Sequence, residues 1–165
     1  MSYGLDPKHF VIHVIRPALT RMQLWSPAAE VLVLGTALVE SELRWLLQRP
    51  NGPAMGPFQM EPATHFDCWQ NWLRFPQNVE IRTSVMRMAT HYSGDLPDPG
   101  EMKFNHLYAA AMCRVKYVRA KPAIPPVKDA AAMAAYHKTF YNSPKGATKV
   151  EESIRHFEFA IHLEV

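Results

Sequence analysis

Little in this chain points to a disulfide scaffold, a zinc module or a redox centre. It has 2 cysteines in 165 residues, Cys68 and Cys113, and they lack the close spacing of metal or redox pairs. Two buried, reduced thiols are expected. Glycine is scarce too, at 7 residues. There is no Gly-rich phosphate loop and no Gly-x-Ser-x-Gly elbow. "HFVIH" sets His9 and His13 one helical turn apart, but without a glutamate between them or a third ligand, so no metal and no cofactor are assigned. Basic blocks are missing. A net charge of +3 is a mild bias toward anionic partners and falls short of a nucleic-acid footprint. "MSYGLDPKHF" lacks the basic and apolar regions of a signal peptide. The longest apolar-rich run, Ala28 to Val39, contains Glu30 and is too short to span a bilayer, so no membrane insertion is expected. The chain is expected to be made in a cytoplasm and carried outside, if it works there, by something else.

What the chain does have is proline, at 14, with 48% hydrophobic and 20% charged residues. That is an ordinary globular composition, expected to form one domain over residues 1–165. The prolines fall between apolar segments of helical period. Phe10, Val11, Val14, Ile15, Leu19 and Met22 predict a helix from Pro7 to about Leu24, which Pro17 kinks or divides. "SPAAE" opens a second helix, with Ser26 as N-cap, Pro27 in first position and Glu30 completing a capping-box-like pattern. This helix is apolar on nearly every side and should be central, with Gly35 marking a close backbone approach. Further helices are expected over Pro62–Trp72, Gln77–His91, Asn105–Ala120, Asp129–Tyr141 and Lys149–His162, with "SGDLPDPG" and "KPAIPP" as breaks. No useful strand alternation is present, though "FQM" fits a short extended piece. The class is all-α.

Glu40 and Ser41 stand near the end of the apolar second helix, and Gln59 follows nineteen residues after Glu40 in "GPAMGPFQMEPAT". A glutamate in apolar surroundings is costly unless it is paired or used. A loop with glycines and prolines this close together holds one shape. Together they suggest a catalytic acid and the loop that builds its cleft.

Glu-Ser at a helix end, followed by a Gly-Gln loop through Gly52, Gly56 and Gln59, resembles the lytic transglycosylase and goose-type lysozyme group, which carries a Gly-x-x-Gly-x-x-Gln loop there and a matching spacing from glutamate to glutamine. "LYAAAMCRVKYVR", "AAYHKTFYNSPKGA" and "VEESI" resemble a subgroup of small phage-encoded cell-wall-lysis proteins, so the similarity runs from about Val31 to Ile154. The resemblance implies a lysozyme-like fold that cleaves the β-1,4 bond between N-acetylmuramic acid and N-acetylglucosamine, with peptidoglycan glycan strands as partner and other virion proteins as further partners. It implies synthesis in the host cytoplasm and action at the cell wall or in a virion. The alternative is a lysozyme-fold protein that has lost catalysis and serves as a structural or binding part of a phage particle.

On this resemblance Glu40 is the general acid. Such an acid has to keep its proton near neutral pH, and Leu38, Val39, Leu43 and Trp45 are expected to desolvate it. Glu61 is either a second catalytic carboxylate or a favourable charge at the next helix start. Ser41 either orients the Glu40 carboxyl or bonds its own helix backbone. Gln59 is expected to hold the substrate N-acetyl group or Glu40, rather than merely stabilise a turn. Gly56 and Phe58 belong to the cleft loop, Phe58 as packing. One departure stands out. "AAAMCRVKY" lacks the Asn and Gly of the group's Ala-Tyr-Asn-Ala-Gly segment, which leaves Tyr108, Tyr117 and Tyr141 as candidates for the far side of the cleft.

Overall fold

The computed structural model describes residues 2–142 and 149–165 and is mostly helical. The segment Ser143–Ala147, part of one stretch that carries the family resemblance, lies outside the described residues. The first apolar stretch forms α1 (Pro7–Phe10) and α2 (Arg16–Arg21), joined by a π turn over Val11–Ile15. Pro17 has no N–H, and its ring would crowd the carbonyl four residues back. The wider turn before it lets the Arg16 N–H reach the Val11 carbonyl, so the helix is divided without ending.

α3 (Pro27–Ser41) opens on Ser26, whose hydroxyl accepts from the Ala29 N–H at 3.1 Å. Glu30 does not complete a capping box. It stands one residue past the position that could reach back to the cap, and its carboxylate accepts two bonds from Arg16 at 2.8 Å and one from the Trp25 indole at 2.7 Å. Residues 32–38 of α3 are buried without interruption, so this helix is the centre of the core as its apolar surface requires.

α4 (Pro62–Cys68) runs into a second π turn, Trp69–Leu73. α5 (Val79–Met88) stops three residues before the expected His91, because Ala89 is extended. The proline-rich break after it contains a hairpin, β1 (Tyr92–Ser93) against β2 (Leu96–Pro97), which turns on Gly94 at φ +68°. Strands of two residues are too short to leave an alternating signal. "FQM" is not an extended piece. Phe58 and Gln59 lie in a turn, and only Met60 pairs, in an isolated bridge to Met55.

α6 (His106–Val118), α7 (Ala130–Phe140) and α8 (Val150–His162) complete the fold. Asn105 and Asp129 cap α6 and α7 by accepting from backbone N–H groups at 3.1 and 2.9 Å. α8 packs on α7 and α3. Gly35 admits an aromatic ring rather than a backbone: a β-carbon there would stand 2.2 Å from the Phe157 ring of α8. Cys68 and Cys113 are buried and unbridged. Among the described residues no helix is long and apolar enough to cross a membrane.

Candidate active site

Glu40 is the penultimate residue of α3, and its side chain is 17% exposed. Its Oε1 lies 3.0 Å from Nε2 of His137 on α7. His137 is almost fully buried, its ring stacked on Tyr141 at 5.7 Å and tilted against Phe157 at 5.9 Å. Its Nδ1 has no partner among the described residues. A proton on Nδ1 would therefore be buried and unbonded, so the consistent assignment puts the proton on Nε2, donating to Glu40. The other Glu40 oxygen has no protein hydrogen-bond partner among the described residues.

Beyond Ser41 the chain takes two left-handed residues, Glu42 at φ 51° and Leu43 at φ 55°, which stop the helix abruptly. Ser41 locks that end to the loop. Its hydroxyl is 3.1 Å from the Ala37 carbonyl and 2.7 Å from the Pro57 carbonyl, and it accepts from the Leu43 N–H at 3.1 Å. Of the two roles open from sequence, the hydroxyl takes the backbone one, and it extends that role to the Gly-Pro turn. Gly56, at φ +74°, passes so close to the Met102 carbonyl that a β-carbon would stand 2.1 Å from its oxygen.

Gln59, at φ 44°, donates to the carbonyls of Gly56 at 2.9 Å and Trp45 at 3.3 Å. The amide therefore stabilises the turn, the role the sequence reading set aside, and it makes no bond to Glu40. Phe58 is buried, and its carbonyl accepts from the Tyr141 hydroxyl at 2.8 Å. Tyr117 is buried as well, with its hydroxyl 2.6 Å from Thr36 Oγ1 and its ring stacked on Tyr136. Tyr108 lies in the core, bonded to His65 and Trp69. The three tyrosines thus line the interior. Leu38 and Leu43 are buried beside Glu40 in the chain, but Trp45 is 43% exposed and stacks under Arg49 rather than against the acid.

Glu61 is exposed at the N-cap position of α4, and its side chain makes no cap bond. Asp67, further along α4, is paired with Arg119 at 2.7 Å and Asn71 at 2.7 Å. Sequence reading missed Lys116 and His137. Lys116 on α6 donates to the Tyr141 carbonyl and sits 4.3 Å over the Tyr141 ring. Burial pulls its pKa down, and the charges of Glu40 and Glu61, among others, oppose that pull. Both stand in stretches that carry the family resemblance, but neither is singled out there as a site residue, and only the packing of α3, α6 and α7 brings them to Glu40 and Tyr141. Among the described residues no group of three or more His, Cys, Asp and Glu side chains is placed to hold a metal ion. Comparison with protein-family models, curated proteins and solved structures gives no match.

Proposed function

We propose that the chain cleaves the β-1,4 bond between N-acetylmuramic acid and N-acetylglucosamine, as a lysozyme-like lytic transglycosylase or muramidase of phage lysis or virion origin. One observation carries the reading. A partly exposed carboxyl, Glu40, sits at the end of the central helix, held by a buried imidazole and locked through its neighbour Ser41 to a rigid Gly-Pro loop. That is the arrangement a positioned general acid needs. Glu40 protonates the glycosidic oxygen as the bond breaks. The resulting carboxylate then takes the proton of the muramyl C6 hydroxyl as that oxygen closes on C1. His137 fixes one carboxyl oxygen throughout, so the other is aimed at the substrate.

A specific observation favours a second reading. The hydroxyls of Ser41, Tyr117 and Tyr141 and the amide nitrogen of Gln59 bond within the protein, and Phe58 is buried. That supports a lysozyme-fold protein without catalysis, a structural or binding part of a phage particle. Turbidity loss of purified cell walls separates the two. Wild type should clear them, and Glu40→Gln should be slower by about 10²–10⁴-fold with unchanged helical circular dichroism. Wild type inert on several walls establishes the second reading, and a fully active Glu40→Gln removes the first.

A further inference from the structure

Five residues after Glu40 the chain presents three large apolar side chains in a row to solvent. Trp45, Leu46 and Leu47 are 43%, 45% and 56% exposed. The backbone beneath them is held. The Trp45 carbonyl accepts from Gln59 Nε2 at 3.3 Å, and the Leu46 carbonyl accepts from the Gly56 N–H at 3.0 Å. Leu47 bridges Met55, and the Gln48 N–H donates to the Ala54 carbonyl at 2.9 Å. The segment's outward face is thus side chain, and much of its backbone polarity is satisfied by the loop behind it.

Arg44 and Arg49 flank the apolar run, and both are exposed. The Arg49 guanidinium lies 4.3 Å over the Trp45 ring and has no carboxylate partner among the described residues. Arg44 has Glu42 at 3.7 Å and also donates to the Ser2 carbonyl. The edge therefore combines an indole, two leucines and two exposed cations.

We propose that the Arg44–Arg49 edge docks on an anionic lipid surface. An indole favours the headgroup boundary, the leucines supply area for the acyl side, and the arginines meet phosphate. A sugar platform would use the indole face but gain nothing from two exposed leucines. Groups entering the interface need their backbone bonds made internally, and the carbonyls of Trp45 and Leu46 have theirs. Docking here needs no spanning helix, and it stands independently of the glycan-cleavage reading.

Sedimentation of the full chain with vesicles tests this, using phosphatidylcholine alone and phosphatidylcholine mixed with phosphatidylglycerol. Wild type should sediment with the mixed vesicles at low salt and release as salt rises. Arg44→Gln with Arg49→Gln should weaken partitioning by about twenty-five-fold, at about fivefold per arginine. Leu46→Ser with Leu47→Ser should abolish it at an unchanged Tm. No sedimentation with phosphatidylglycerol at low salt overturns the proposal, as does wild-type binding by either double variant. If wild type ignores vesicles but the same variants lose binding to purified walls, the edge is a sugar subsite and the lipid assignment is wrong.

Discussion

His137 and Glu40, 97 residues apart in the chain, meet at 3.0 Å with the imidazole buried and the carboxyl reaching solvent. The imidazole is backed by Phe157, which fits only because position 35 is glycine. α3, α7 and α8 thus converge on one carboxyl oxygen.

If that contact positions the acid, His137→Phe should separate function from folding. The ring can keep its contacts with Tyr141 and Phe157, and an Nδ1 that had no partner is no loss. We expect stability within about 1 kcal/mol of wild type and wall cleavage reduced about tenfold or more. His137→Gln, which restores a donor, should recover part of the rate. Thermal denaturation alongside a turbidity assay checks both. An unchanged rate for His137→Phe would reduce His137 to a packing residue.

Gly56→Val should be severe. The substitution adds a side chain at a left-handed φ and drives a β-carbon into the Met102 carbonyl. It should lower activity and Tm, whereas Leu163→Ala near the chain end should change either little. Equal, small effects would make the loop a mere connector.

If the chain cleaves glycan strands as proposed, the products count the carboxylates that do so. Asp67 is engaged by Arg119, and Glu61 is exposed at a helix start. We expect 1,6-anhydromuramyl products, with Glu61→Gln only partly impaired. Mass spectrometry of digested peptidoglycan reads this directly. Products heavier by one water, with activity lost in Glu61→Gln, would mean a two-carboxylate muramidase.

Acid should unfold the protein through two groups away from Glu40. Burial lowers the His65 pKa to about 4, so the folded state holds a neutral imidazole that the unfolded chain protonates below about 6.5. Stability is then complete above about pH 6.5 and falls as pH drops toward 4, by up to about 3 kcal/mol. His65→Phe should flatten that slope in Tm measured from pH 7 to 4.

Glu101 acts further down the pH scale. Its carboxylate is 1% exposed, which raises its pKa, but bonds from the His91 N–H, Asn105 and Thr90 outweigh burial and hold it below the usual range. Its contribution is present above the unfolded value and lost as pH falls through the folded one. Glu101→Gln would turn an amide donor toward other donors and should cost about 2–3 kcal/mol at neutral pH by chemical denaturation. A loss below about 0.5 kcal/mol would mean that water replaces these bonds.

Much of the helical framework is local chemistry and is legible in the chain. Ser26, Asn105 and Asp129 cap the helices that follow them, because a side-chain oxygen satisfies a free N–H two or three residues on. Pro17 had to disturb its helix, and a helix apolar on nearly every side had to be central. The candidate acid and its loop were legible for a similar reason, since Glu40, Ser41 and the Gly-Pro turn are close in sequence. Tertiary structure decided the partners. Glu30 sits where a cap is almost possible, yet Arg16 and Trp25 claim it from outside the helix. Tyr117 and Tyr141 have helical spacing that fits either a cleft or a core, and the direction of packing sends both inward. His137 and Lys116 lie in stretches that resemble the family, yet nothing local singled them out as site residues. A histidine on an apolar helix face carries no mark of what it will meet, because the contact depends on how three helices pack, and that is set by side-chain volumes spread across the whole chain.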